Sequence, residues 1–206
     1  MNYLKKMTGG NLMEELLVNI IHYPVYTLGP GKRVGIWLQG CSIRCKGCMS
    51  SHTWEFDKNR AIKIEQVTNI LKSFGCKRLT ISGGEPFDQH VPLQILLSSI
   101  RDFFDDILVY TGYTYEYLLN KHKNILKLID AIVDSPFIKG LESELIWKGS
   151  ENQRFFLFNK SLSNDYSLWI KKKKERVLQI INQKDKIVII GIPYQKDAEV
   201  FINGEI

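Results

Sequence analysis

Val34-Gly35-Ile36-Trp37-Leu38-Gln39-Gly40-Cys41-Ser42-Ile43-Arg44-Cys45-Lys46-Gly47-Cys48 joins an apolar run to a cysteine loop. Val34 to Leu38 reads as a buried strand. The turn Leu28-Gly29-Pro30-Gly31 precedes it and Gly40 opens the loop that follows. Three of the four cysteines fall within eight residues, spaced Cys-x3-Cys-x2-Cys. Three thiolates on one short loop suit three corners of a cubic iron–sulfur cluster. One iron then lacks a local protein ligand, and an open metal position can bind a substrate directly. A zinc site or unrelated buried thiols are the alternatives. Zinc usually takes four ligands in two pairs, and the sequence holds no second pair.

Outward from this stretch, strand and helix signals alternate. Leu16–Ile21 reads as a strand before the turn. Ile64, Val67, Ile70, Leu71 and Phe74 mark one helical face, followed by a short strand, Arg78–Ile81, that ends at Ser82-Gly83-Gly84-Glu85-Pro86. Leu93, Leu96, Leu97, Ile100, Phe103 and Phe104 form a second helical face. Ile107–Tyr110 is a strand ending at Thr111-Gly112-Tyr113. Helices over Tyr115–Lys121 and Asn124–Ile129 lead to a strand, Ala131–Val133, ending at Asp134. This order predicts an α/β fold with parallel strands and helical crossovers. The strands are too few for a closed eight-stranded barrel, so an open, partial β/α barrel is expected. Cysteines, Gly-Gly-Glu turn, Thr111 and Asp134 all follow strand ends, the binding face of such sheets. Beyond Glu142 the pattern changes: a strand over Phe155–Phe158, a helix over Tyr166–Ile181 and a strand over Ile187–Ile190 are expected. One domain over residues 12–206 is expected, with a core of about 16–158, a C-terminal extension from about 159, and a mobile tail over 1–11.

Of the 206 residues, 44% are hydrophobic and 24% charged, which excludes a disordered or fibrous chain. No run approaches the ~18–20 apolar residues that span a bilayer. Residues 1–17 lack the apolar segment of a signal peptide. A cytoplasmic protein with reduced thiols is therefore expected. The net charge of +6 is concentrated between Lys160 and Lys186. There Lys171–Lys174 reads as the solvated face of a helix or as a docking surface for an acidic partner. Nucleic-acid binding has no supporting motif. Cys76 reads as a buried structural thiol. His22, His52, His90 and His122 show no metal-type pairing.

Taken together, Cys-x3-Cys-x2-Cys after one strand and Gly-Gly-Glu-Pro after the next resemble the radical S-adenosylmethionine (SAM) enzymes. Within them the resemblance is to the activating enzymes of anaerobic ribonucleotide reductase. Gly29-Pro30-Gly31, Lys46-Gly47-Cys48, His52-Thr53-Trp54, Ser82-Gly83-Gly84-Glu85-Pro86-Phe87, Thr111-Gly112-Tyr113 and Gly149-Ser150-Glu151-Asn152-Gln153-Arg154 carry it, in order. It covers residues 16–158.

The resemblance implies that Cys41, Cys45 and Cys48 ligate a 4Fe–4S cluster. It implies that SAM chelates the open iron, with Ser82, Gly83, Gly84 and Glu85 at its methionyl end and the Gly47 backbone near its adenine. Thr111 and Asp134 are further candidates for this site. A one-electron donor such as flavodoxin or ferredoxin would feed the cluster. The 5′-deoxyadenosyl radical would take a hydrogen from a backbone glycine of a large partner, a glycyl-radical enzyme such as anaerobic ribonucleotide reductase. A radical enzyme acting on a small molecule or peptide, or a plain 4Fe–4S electron carrier, are the other functions this pattern admits. One departure stands out: enzymes of this group often carry Asp-Gly-Lys where this chain has Asp134-Ser135-Pro136.

Overall fold

The computed structural model describes residues 14–173, 178–183 and 186–197. Arg33–Leu38 (β2) is buried along nearly its whole length, as a strand covered on both faces must be. It pairs in parallel with Arg78–Gly83 (β4), which pairs with Asp106–Tyr110 (β5), and that with Ala131–Asp134 (β6). This four-stranded parallel core is what the alternating sequence predicts. The flanks differ. Glu15–Val25 (β1) runs antiparallel to β2 and carries the short strand Ala61–Lys63 (β3) on its outer side. At the other flank Arg154–Leu157 (β7) runs antiparallel to β6. The resulting seven-stranded sheet, ordered β3-β1-β2-β4-β5-β6-β7, is open.

Period-two alternation divides the two faces of the sheet. Ile36, Ile81, Val109 and Ile132 face one way. They pack against Ile64–Ser73 (α1), His90–Ile100 (α2) and Lys123–Leu126 (α4) through Val67, Leu71, Leu93, Leu97 and Ile125. The helix before α4, Tyr115–Lys121 (α3), buries Leu118 in the same core. Leu108, Ala131 and Val133 face the other way, under Trp147 and under Tyr166 and Trp169 of Ser163–Trp169 (α5). This second face also holds a charge the sequence did not announce. Arg33, fully buried, bonds Asp106 Oδ2 at 2.5 Å, Thr80 Oγ1 at 2.7 Å and the Leu79 carbonyl at 2.6 Å. Tyr166 donates to Asp106 at 2.7 Å, so the pair clamps α5 to three strands.

The expected helix over Tyr166–Ile181 is corrected. α5 stops at Trp169, and Gln179–Gln183 (β8) is a strand paired antiparallel with Lys186–Ile190 (β9). Only Tyr166 and Trp169 offer α5 a buried face, while Ile180 and Ile181 alternate as strand residues do. The lysine run is not a helix face either. Lys171–Lys173 are exposed outside any helix, Lys173 bridges to Leu145, and Lys174 lies outside the described residues. The tail expected over residues 1–11 also lies outside them. No helix among the described residues is long and apolar enough to cross a membrane.

Candidate active site

The loop after β2 is pinned at both ends. Gly40 N–H donates to the Thr53 carbonyl at 2.7 Å and Cys41 N–H to the Trp54 carbonyl at 2.9 Å. Asp88 holds its outer side, accepting from Ser42 N–H at 2.6 Å, Ser42 Oγ–H at 2.9 Å and Tyr113 Oη–H at 2.7 Å. Between these anchors Cys41, Cys45 and Cys48 are half-buried free thiols. Burial raises the pKa of all three, while N–H groups act against it. Those of Arg44 and Ile43 reach Cys41, that of Phe137 reaches Cys45, and that of Ser50 reaches Cys48. Donors aimed at every sulfur are what anionic cluster ligands require. The donor set fits a 4Fe–4S group.

β4 delivers the second element beside this loop. Gly83 takes φ +109°, and a Cβ there would lie 2.2 Å from Leu38 N. A Cβ on Gly84 would lie 2.0 Å from the Gly40 carbonyl oxygen. These glycines therefore let the turn press on the backbone that enters the cysteine loop. Gly84 N–H donates to the Leu38 carbonyl and Glu85 N–H to the Gly40 carbonyl, each at 2.8 Å.

Glu85 is buried, and its carboxylate accepts from Phe87 N–H at 3.0 Å, Thr111 Oγ1–H at 2.7 Å and Gly112 N–H at 2.7 Å. Burial raises its pKa to about 7, against the pull of those three donors. Thr111 thus serves as a support for Glu85, tying the end of β5 to the end of β4.

One cavity of about 510 Å³ gathers the predicted residues. Cys41, Cys45, Gly47, Cys48, Ser82, Gly83, Gly84, Glu85 and Thr111 all line it. Asp134 does not: it is fully buried, accepting from Tyr115 N–H at 2.7 Å, Arg154 Nη2–H at 2.5 Å and Ser135 Oγ–H at 3.1 Å. Asp134 holds the loop after β6 from below. In that loop Ser135 takes φ +77°, a conformation natural to glycine, at the place of the glycine in Asp-Gly-Lys. The stem of Lys139 and the ring of Phe137 stand 3.3 and 3.6 Å from where a Cβ on Gly47 would be. The loop after β6 so fills the side-chain space that Gly47 leaves empty. The 149–154 segment braces this loop: Asn152 donates to the Pro136 carbonyl at 2.7 Å, Gln153 to the Ser135 carbonyl at 3.2 Å, and Ser150 Oγ accepts from Ile138 N–H at 3.1 Å.

The sequence reading missed Asp88, whose isolated position carries no motif, and the whole C-terminal wall of the cavity. His52 lines the cavity. His90 and His122 come together with ring centroids 4.9 Å apart, outside its lining, and no third His, Cys, Asp or Glu among the described residues joins them in a metal site. Cys76 is half-buried against the core, its thiol 3.4 Å from the Lys32 carbonyl.

Residues 27–156 match the family described as 4Fe-4S single cluster domain, a span holding all three loop cysteines. The chain is 31% identical over 156 residues to the anaerobic ribonucleoside-triphosphate reductase-activating protein of Enterobacteria phage T4, covering 71% of this chain and 94% of that protein. It belongs to the family of these activating proteins. The member from Escherichia coli K12 is 34% identical over 143 residues, covering 64% of this chain and 93% of its own length. That from Haemophilus influenzae is 33% identical over 144 residues, covering 64% and 92%. These activating proteins are thus spanned almost end to end, while about a third of this chain has no counterpart in them. Among solved structures, QueE from Escherichia coli aligns with 48% of this chain and 53% of its own, with a TM-score of 0.39 and 23% identity.

Proposed function

We propose that this chain is a radical SAM activase that generates a glycyl radical on a partner enzyme, an anaerobic ribonucleoside-triphosphate reductase. The observation that carries the reading is spatial. Three thiols, each met by N–H donors, share one cavity with the Ser82–Glu85 turn. In this reading Cys41, Cys45 and Cys48 hold a 4Fe–4S cluster. Held by these three thiolates, such a cluster would supply the electron for the reductive cleavage of SAM.

The chain's own residues bind, orient and shield. The backbone of Ser82, Gly83 and Gly84 and the ionised form of Glu85 receive the amino-acid end of SAM. Gly47, Phe137 and Lys139 line the side toward the adenosyl end. Trp54 and the pinned loop limit the access of water to the thiolates. A one-electron protein donor such as flavodoxin or ferredoxin completes the system.

The test is anaerobic reconstitution of the full chain, chemical reduction, and addition of SAM. 5′-Deoxyadenosine and methionine are expected in equal amounts. With the reductase present, a glycyl-radical signal is expected by electron paramagnetic resonance. No 5′-deoxyadenosine from a correctly assembled cluster would sink the reading.

A further inference from the structure

The part of this chain outside the family match returns to the cavity. Ile187 to Ile192, Pro193 and Gln195 line it, opposite the cysteine loop in sequence and beyond residues 27–156. Three anchors fix this strap. At its start Gln179 donates to the Pro24 carbonyl at 2.6 Å. In its middle Ile190, 2% exposed, packs with Val25 and Leu28, next to Trp37 and Tyr110. At its end Gln195 Oε1 accepts from Gly140 N–H at 2.9 Å, and Gln195 N–H donates to Glu142 Oε1 at 2.7 Å. The strap therefore crosses from the β1–β2 side of the open sheet to the loop after β6, and closes what the sheet leaves open.

The wall it builds is apolar, with one exception. Gln195 Nε2 is a buried donor with no partner among the described residues. The bond from Gly140 N–H settles which side-chain atom is oxygen, so the unpaired atom is the N–H₂ group. A buried donor without a partner is costly to keep. Tyr110 Oη and Trp54 Nε1, of residues that also line the cavity, are buried polar atoms without a partner among the described residues as well.

We infer that the strap forms the target side of the site: a subsite for an extended polypeptide segment of the partner, with Gln195 Nε2–H donating to one of its backbone carbonyls. This rests on the activase reading and deepens it. A cavity of about 510 Å³ lies within the range of small-ligand pockets, so beside SAM it leaves room only for the slender central part of a guest. A glycine-centred backbone is slender, offers carbonyl acceptors, and carries no charge to bury against Ile190 and Ile192. Glu85 accepts from three donors of its own surroundings and, in the activase reading, from the amino-acid end of SAM, which leaves the strap's amide to the target.

The probe is a blocked pentapeptide with a central glycine, N-acetylated and C-amidated, added to the anaerobically reconstituted full chain with and without SAM. Binding is read by fluorescence of Trp37 and Trp54, which line the cavity, and by amide exchange over residues 187–195. SAM binding is read separately by equilibrium dialysis. The peptide is expected to slow strap exchange several-fold. Gln195→Glu keeps an acceptor for Gly140 and removes the donor. It should weaken peptide binding about tenfold and leave the SAM dissociation constant within twofold, which also reports an intact fold. Gln195→Ala should act the same way. Unchanged peptide binding in both variants overturns the inference. So does an equal loss of SAM affinity, which would assign the strap to the adenosyl group. No readout requires SAM cleavage, so absent 5′-deoxyadenosine would count against the activase reading alone.

Discussion

Glu85 is a carboxylate placed where neither burial nor hydrogen bonding wins outright. Burial brings its pKa to about 7, so the ionised form dominates only above that value. SAM binding through ionised Glu85 is expected to weaken as the pH falls through about 7, approaching tenfold per unit below it. Equilibrium dialysis across this range should show the slope, and Glu85→Gln should remove it. For folding the sign is reversed. A carboxyl whose folded pKa is raised contributes stability that is full below the unfolded value of 4.5 and is lost as the pH rises through about 7. Gly84 gives a second test at this scale. Gly84→Ala would place a methyl 2.0 Å from the Gly40 carbonyl oxygen. Urea unfolding should show a loss of about 1–3 kcal/mol, the range for overpacking. Sequence reasoning found these glycines but assigned them to ligand approach; the backbone they press on becomes visible only when β2 and β4 lie side by side.

Among the elements, the parallel strands were the most legible. Their apolar runs are short, bounded by turn signals, and separated by helices with a clear period, so pairing follows with little choice. The antiparallel flanks were not legible, because nothing local in β1 or β7 distinguishes an antiparallel partner from a parallel one. α5 was overextended for a related reason: an apolar run beside four lysines fits a helix or a strand until its packing partner is known. The 149–154 brace shows the same limit, since its motif could be seen but its role lay in loop residues over ten positions away. Arg154 is its outer end, bonding buried Asp134 and exposed Glu116. Arg154→Ala strips Asp134 of its only ion pair among the described residues. A loss of about 1–3 kcal/mol is expected in thermal or urea unfolding, the usual penalty for a buried polar group left short of a partner. Arg154→Lys should recover only part of it, because a lysine cannot reproduce the two-pronged contact.

For the molecule as a whole, the Arg33–Asp106–Tyr166 clamp carries the largest single risk. It joins β2, β4, β5 and α5 through fully buried side chains. Asp106→Ala leaves a buried guanidinium uncompensated, and a loss of about 3–5 kcal/mol is expected, enough to unfold a marginal domain. Calorimetry would show it, and the double change Arg33→Met with Asp106→Leu should cost far less. A charged pair of this kind has no signature in a linear pattern, since Arg33 and Asp106 stand 73 positions apart.

The contact of Gly84 and Glu85 with Leu38 and Gly40 reaches further than packing. Two backbone bonds tie the start of the cysteine loop to the turn that follows β4. Loading of iron and binding of SAM are then thermodynamically linked, and linkage is reciprocal. A protein stripped of iron should hold SAM less tightly. By the same factor, SAM should slow the surrender of iron to a chelator, so the substrate would protect the centre that consumes it.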